Sequence, residues 1–390
     1  MSTGWRLLQL VVICGLIAGC ASPSARAPET PSAPSAPSAP PAPTAPASPP
    51  LSPSDSGAEF KVDRGSRSPA IRQAELRRFG VELARSRNLS EPAVLALLAD
   101  ARYNATVVRL VSPPAPGQPR VQRSWLTYRK RVVEPVRINQ GRAFMQEYAA
   151  ELNRAYERYG VPQSIITAII GVETVYGKVQ GNFRVLDALA TLGFDYPDPT
   201  RPDRAEMFRN QLGDLIELDL TGRLDARTLK GSFAGAVGIP QFMPGSIKRF
   251  AVSASGSARI DLTESTSDAI MSVANFLVEH GWQRGLPVFA PVALPASAAK
   301  LVDGGLKPNL DWPQLKAAGA KPEPGVQDGA WMRAALGVID LPEEARGTVE
   351  LRTATPNFFA LTQYNRSYFY ATSVADLARA LREPPAGAAR

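Results

Sequence analysis

Glu173 is the side chain best placed for acid–base chemistry. It stands near the end of an apolar run that begins at Val161, and a helix over that run puts Ile166, Ile169, Ile170 and Tyr176 on its face. A carboxyl on such a stripe is poorly solvated when charged, so its pKa rises and it keeps a proton near neutral pH. That is what a general acid requires. The same periodicity also accommodates a glutamate in a structural ion pair, or one that escapes to solvent at the helix end. A second cluster follows at Gly231-Ser232-Phe233-Ala234-Gly235-Ala236-Val237-Gly238-Ile239-Pro240-Gln241-Phe242-Met243-Pro244. Its glycines let backbone approach a ligand closely, and Ser232 and Gln241 offer neutral donors and acceptors for acetamido and hydroxyl groups. Tight helix–turn packing is the other use of that pattern.

Other chemistries are closed by what is missing. Both cysteines, Cys14 and Cys20, fall within the first 20 residues, so beyond them there is no disulfide, zinc–cysteine site or cysteine nucleophile. His280 is the only histidine, which excludes a histidine metal cluster and makes any Ser-His-Asp triad depend on it. Acid–base work therefore falls to carboxylates, lysine or tyrosine.

Helices must position these groups. Arg142 to Tyr159 carries Phe144, Tyr148, Leu152 and Tyr156 at four-residue spacing and predicts one helix, ended by Gly160. A second helix is expected from Pro162 to about Tyr176, with others at Arg204–Asp219, Ser265–His280 and Ser373–Leu381. From Leu286 to Asn357 short β-prone runs such as 348–353 are broken by Pro and Gly. The fold class expected is mainly α with a minor β part.

The N-terminus reads as export and tethering. Arg6 precedes an apolar run from Leu7 to Ile17, too short for a comfortable membrane span. Ile17-Ala18-Gly19-Cys20 resembles the lipobox of bacterial lipoproteins, with Cys20 carrying the lipid; a plain signal peptide that happens to hold a cysteine is the bland alternative. Ala21, where Asp would stand for retention, implies outer-membrane sorting in that class. Of 36 prolines, 12 lie between Ala21 and Ser56, a composition that extends rather than folds, at ~3.1 Å per residue. The expected boundaries are 1–19 signal peptide, 20–60 lipidated cysteine and tether, 66–156 helical domain and 157–390 catalytic core, with a small β-containing region inserted at about 250–355. Charge is uneven: 57–160 holds 19 Lys/Arg against 10 Asp/Glu, and the rest of the folded part is nearly neutral. A basic face steers anionic polymers or merely solvates the surface. For an exported chain, peptidoglycan with its carboxylates is a better partner than nucleic acid.

Together these segments resemble the membrane-bound lytic murein transglycosylase B family. The resemblance rests on Gly171-Val172-Glu173-Thr174, Leu186-Asp187-Ala188-Leu189-Ala190-Thr191-Leu192, the Ser232–Pro244 block, and Ser272-Val273-Ala274-Asn275 with His280-Gly281-Trp282. Pro356-Asn357-Phe358, Tyr364-Asn365 and the basic Trp125-Leu126-Thr127-Tyr128-Arg129-Lys130 extend it over roughly Ala70 to Leu381. It implies a lysozyme-like core with an additional N-terminal helical domain and a small β-containing part. It further implies a lyase without cofactor that cleaves the bond between MurNAc and GlcNAc of peptidoglycan, with Glu173 as single acid/base and a 1,6-anhydro product. The departure from the two-carboxylate plan is possible because the nucleophile is the sugar's own hydroxyl. By matching positions Ser232 and Gln241 bind sugar, and Tyr364, Asn365 and Tyr370 line the cleft. Arg204 either contacts substrate carboxylates or is a surface charge. Cell-wall enzyme complexes are further partners of this class.

Relatives of that class can carry a calcium loop between Phe250 and Asp261. Here Ser253, Ser255 and Ser257 stand where carboxylates would, and Arg259 intrudes, so no metal is expected. The rival readings are a true muramidase with a second carboxylate, Asp187 being one choice, and a non-catalytic peptidoglycan-binding lipoprotein.

Overall fold

The computed structural model describes residues 68–383 apart from 115, 116, 118, 119 and 258. The expected signal segment, Cys20 and the tether lie outside the described residues.

Six helices come first: α1 (Pro69–Arg87), α2 (Glu91–Ala99), α3 (Ala105–Val111), α4 (Trp125–Val132), α5 (Pro135–Glu147) and α6 (Ala149–Tyr159). Three of them start with Pro in the first turn, where the missing N–H costs nothing. The single helix expected over Arg142–Tyr159 is divided at Tyr148, which caps α5 and opens α6 with φ −107° and ψ 31°. Tyr148 N still donates to Phe144 O and Leu152 N to Tyr148 O, so the break is a kink rather than a gap. Of the anticipated stripe, Phe144 and Leu152 are buried, while Tyr156 lies on the exposed surface. Gly160 ends α6 in the left-handed conformation, as its position implies.

The centre of the molecule is α7 (Gln163–Thr174), with ten of its twelve residues buried. Ile165, Ile166, Ile169, Ile170 and Val172 leave it apolar all round, and such a helix is stable only when neighbours cover every face. Those neighbours are α5, α6, α11 (Thr266–Glu279) and α14 (Tyr368–Arg382). Between them run β1 (Phe183–Arg184), α8 (Val185–Phe194), α9 (Pro202–Leu220), β2 (Lys230–Gly231) and α10 (Pro244–Phe250). α11 obeys its sequence signals closely: the Ser265 hydroxyl caps Asp268 N at 3.1 Å, and His280 closes the helix. α14 starts earlier than expected because the Ser367 hydroxyl accepts from Tyr370 N.

The β content is small. β3 (Val292–Ala293) pairs with β4 (Lys321–Pro322), α12 (Trp312–Ala317) lies between them, and β5 (Gly337–Glu343) pairs antiparallel with β6 (Thr348–Ala354) in register Gly337↔Ala354 to Glu343↔Thr348. β1 and β2 form a third pair, Phe183 opposite Gly231. α13 (Pro356–Tyr364) then leads into α14. One contiguous hydrophobic core runs from Leu83 to Leu381, and a smaller one joins Leu286, Trp312, Leu315, Trp331 and Leu336.

Candidate active site

Glu173 sits on the last turn of α7, and the exit of that helix fixes it. Val175, Tyr176 and Gly177 follow with φ of 52°, 62° and 83°, three left-handed residues in succession. A β-branched valine avoids that region, and such outliers persist where the surroundings over-determine them. Here the surroundings are specific. The Thr174 hydroxyl donates to Ile239 O at 2.8 Å and accepts from Gly177 N at 2.9 Å. Tyr176 folds back beneath α7 and donates to Arg137 O at 2.8 Å. Its phenol fills space that only glycine leaves: a Cβ at Gly141 or Gly171 would lie 2.4 or 2.6 Å from it. The expected same-face neighbours Ile166, Ile169 and Ile170 are fully buried, whereas Tyr176 stands beyond the helix rather than on it.

Glu173 as a residue keeps some solvent access, but its carboxyl lies deep among protein atoms. Its Oε1 accepts from the Tyr370 hydroxyl at 2.6 Å. Burial pushes its pKa up, the tyrosine hydrogen bond pulls it back, and it settles at about 8. Tyr370 is fully buried on α14, so its contact is with the acid. Tyr364 stacks on Tyr370, centroids 6.4 Å apart and planes 13° from parallel, and donates to Pro240 O at 2.5 Å. Burial, with Glu173 nearby, raises both tyrosines well above the ordinary phenol range, so they stay protonated donors.

Ser232 and Gln241 belong to one tight loop next to this cluster. Ser232 N donates to Ala236 O at 2.8 Å, and its hydroxyl accepts from Ala236 N at 3.0 Å. Gln241 adopts φ 51°, and its Nε2 donates to Gly238 O at 2.9 Å and Gln180 O at 3.1 Å. The loop meets Glu173's helix through Ile239, whose carbonyl takes the Thr174 hydroxyl, and meets Tyr364 through Pro240. Gly238 must be glycine: at φ 71° an added Cβ would lie 2.2 Å from Leu262 O.

Other predicted residues are placed differently. Asn365 is buried at the α13–α14 junction, beside the tyrosines in sequence. Arg204 is 1% exposed on α9, beside Asp203 and Tyr196, and so is no surface charge; the structure does not bring it to Glu173. Asp187 accepts from Arg102 N at 2.8 Å and pairs with Arg184 at 3.1 Å, engaged away from the acid. His280 stacks on Phe276 at 4.1 Å with Nδ1 2.6 Å from Phe276 O, and burial lowers its pKa, so it is a neutral packing residue. Ser272 and Asn275, singled out with it, hold the backbone at Val252 and Phe250. The residue missed is Tyr128 on α4. Its ring packs on Phe369 at 5.5 Å, and burial first, then Glu173, raise its pKa. The only clue was an aromatic inside the basic run Trp125–Lys130.

The Ser253–Asp261 segment does not fit a calcium ion. Among the described residues no three carboxylate, histidine or cysteine groups come together. Asp268 spends one oxygen on Ala254 N at 2.8 Å and the other on Asp261 N at 3.0 Å. Asp261 Oδ1 takes Thr263 N, the Thr263 hydroxyl and Glu264 N. The Ser253 hydroxyl accepts from Ser255 N and Ser257 N. Serine turns thus shape the loop, and the Asp268 clasp ties its two ends together.

The chain is similar to known proteins over most of its length. The family described as the transglycosylase SLT domain matches residues 72–379. Membrane-bound lytic murein transglycosylase B of Escherichia coli (strain K12) is 39% identical over 291 residues, covering 73% of this chain and 76% of the relative. The catenated lytic transglycosylase SltB1 of Pseudomonas aeruginosa superposes with a TM-score of 0.69 at 35% identity, covering 79% of this chain and 96% of that one. SltB3 of Pseudomonas aeruginosa, solved in complex with NAG-NAM-pentapeptide, gives 0.67 at 26% identity and 80% coverage of both chains.

Proposed function

The chain belongs to the transglycosylase SLT domain family, and from that premise we propose that it cleaves peptidoglycan between MurNAc and GlcNAc without water, using Glu173 alone. The observation that carries this reading is a carboxyl with a pKa of about 8, hydrogen-bonded by Tyr370 and accompanied, among the described residues, by tyrosines rather than by a cation or a second acid. Protonated Glu173 gives its proton to the glycosidic oxygen as the C1–O bond breaks. The carboxylate left behind then takes the proton of the same MurNAc's 6-hydroxyl as that oxygen bonds to C1. The acid ends as it began, and the product carries a 1,6-anhydro ring. A positioned intramolecular nucleophile removes the need for a carboxylate that activates water. Tyr370 orients the carboxyl and supports its charge between the two proton transfers. Ser232 and Gln241 line the approach for sugar hydroxyl and acetamido groups. The lipobox-like segment anchors the protein through Cys20 on the outer membrane, facing the periplasm, in keeping with a relative named membrane-bound. Among the described residues no helix is long and apolar enough to cross a membrane.

Mass spectrometry of digested sacculi tests the reaction. Anhydro ends, one water lighter than reducing ends, are expected; reducing ends alone would establish a hydrolase.

A further inference from the structure

A cavity of about 490 Å³ opens beside the active-site turn and is lined by none of Glu173, Ser232, Gln241, Tyr364 or Tyr370. We propose that this cavity is a carboxylate site for the stem peptide of the glycan substrate; the proposal rests on the peptidoglycan reading above. Its volume lies within the ~300–1,000 Å³ of ordinary ligand sites.

Four cations line it: Lys178, Arg223, Lys230 and Arg259. None of them is in an ion pair among the described residues. Arg223 is held in place by donating to Lys248 O and Ile247 O, at 3.3 and 3.5 Å. Three acids also line the cavity, and two of them are occupied. Asp225 accepts from Arg227 N at 2.9 Å and the Thr228 hydroxyl at 2.7 Å. Asp261 takes the amides of the following turn, and Glu264 is left exposed at the edge. The acids are thus largely taken up by their own loops, whereas none of the four cations reaches a carboxylate within ion-pair distance among the described residues, Arg259 acting on Asp261 only through its field. Arg259 belongs to the Ser253–Asp261 loop, whose serines carry no charge, so this loop contributes a cation to the cavity.

The cavity is within reach of a peptide carried by the reacting sugar. Gly177, on its wall, is four residues past Glu173, a span of at most ~14 Å at ~3.3–3.6 Å per residue. An extended tetrapeptide covers the same distance. Gln180 joins the two sites: its Nε2 donates to Thr263 O at 2.9 Å on the cavity side, and its carbonyl accepts from Gln241 on the sugar side.

The test uses the whole chain and two glycans: peptide-bearing strands, in which the lactyl carboxyl is held as an amide, and strands whose stem peptides an amidase has removed, which leaves that carboxyl free and takes away the peptide's own carboxylates. Wild type is expected to prefer the peptide-bearing strand. The combined substitution Lys178→Gln, Lys230→Gln and Arg259→Ser is expected to lose about tenfold in kcat/KM on that strand and nothing on the stripped one, as partly exposed charge pairs do. Calorimetric titration with the free stem tetrapeptide is expected to show binding to wild type that high salt and the triple variant abolish. An equal loss on both strands, no loss on either, or no tetrapeptide binding would overturn the cavity assignment. Wild type inactive on both strands would instead overturn the peptidoglycan reading, and the tetrapeptide titration would still decide the cavity.

Discussion

Glu173 and Asp376 are both carboxylates sunk among helices, and α14 serves both, giving Tyr370 to one and Asp376 itself to the other. Burial pushes each acid toward its neutral form. At Asp376, which is 4% exposed, that push loses. Arg352 reaches Oδ1 at 2.7 Å and Arg129 reaches Oδ2 at 2.5 Å, and together they hold the carboxyl below its ordinary range. At Glu173 the push wins, because among the described residues a neutral phenol is its only hydrogen-bond partner and cannot repay the lost hydration. The same fold therefore holds one acid ionised, clamping α4, β6 and α14 together, and pushes the other toward its protonated form. Among the described residues it is the two arginines at Asp376, and a phenol in their place at Glu173, that separate the two acids.

The sharpest way to break this contrast is to change each acid. Glu173→Gln is expected to lower turnover of sacculi by at least ~100-fold, the lower end of a general acid's contribution. Retention within tenfold would remove Glu173 from the mechanism. Its stability effect has the opposite sign. A folded pKa of about 8 against a reference of 4.5 means that the stabilisation of the protonated form is complete below 4.5 and lost as pH rises toward 8. Thermal melts across that window should show Glu173→Gln gaining on wild type as pH rises. Activity of wild type should fall above about pH 8 as the acid loses its proton.

Asp376→Asn should do the reverse: modest change in chemistry, large loss of stability. Removing one partner from a buried pair costs ~3–5 kcal/mol, and the solvent left to Arg129 and Arg352 brings this to about 2–3. Because its pKa is lowered, the stability it supplies is present above its reference of 3.8 and lost as pH falls through the folded value. Urea titrations at pH 7 and in acid should therefore converge for variant and wild type only in acid.

How much of this was legible in the sequence differs between the two acids. Glu173 stood out because helical spacing puts three isoleucines on its face, and those residues are buried as expected. Asp376 carried no such sign, since its arginines come from positions 129 and 352 and meet it only in the folded chain. The same limit explains Tyr128 and the Asp268 clasp. Local capping was readable, as Ser265 and Gly160 demonstrate. The kink at Tyr148 was not, because hydrogen bonding continues across it and no Pro or Gly announces it. The early end of α7 likewise follows from Thr174 and Tyr176 finding partners at Ile239 and Arg137, far off in sequence.

A finer probe touches the phenol alone. Tyr370→Phe removes the hydrogen bond that lowers the Glu173 pKa, so the alkaline limb of the rate profile should move upward. Turnover should fall by about tenfold, from ~1–2 kcal/mol of lost support for the carboxylate. A limb that stays in place would show that the phenol does not set this titration.

The smallest effect is expected at a third set of carboxylates, answered chiefly by backbone amides rather than by an ion pair or by isolation. Asp268 bridges Ala254 N and Asp261 N, and Asp261 takes Thr263 N and Glu264 N, so the oxygens a metal would need already accept hydrogen bonds. A calcium ion requires six to eight oxygens and several charges, and would have to displace these amides while facing Arg259 across the loop. Binding at 100 times Kd would stabilise the fold by ~2.7 kcal/mol, a rise of several degrees in the melting midpoint. Neither millimolar calcium nor EDTA is expected to move that midpoint, whereas Asp268→Ala should lower it by cutting both ends of the clasp. A calcium-induced rise of several degrees that Asp261→Ala abolishes would show that amide hydrogen bonds and a metal share this loop, and that its carboxylates are less committed than those of Asp376.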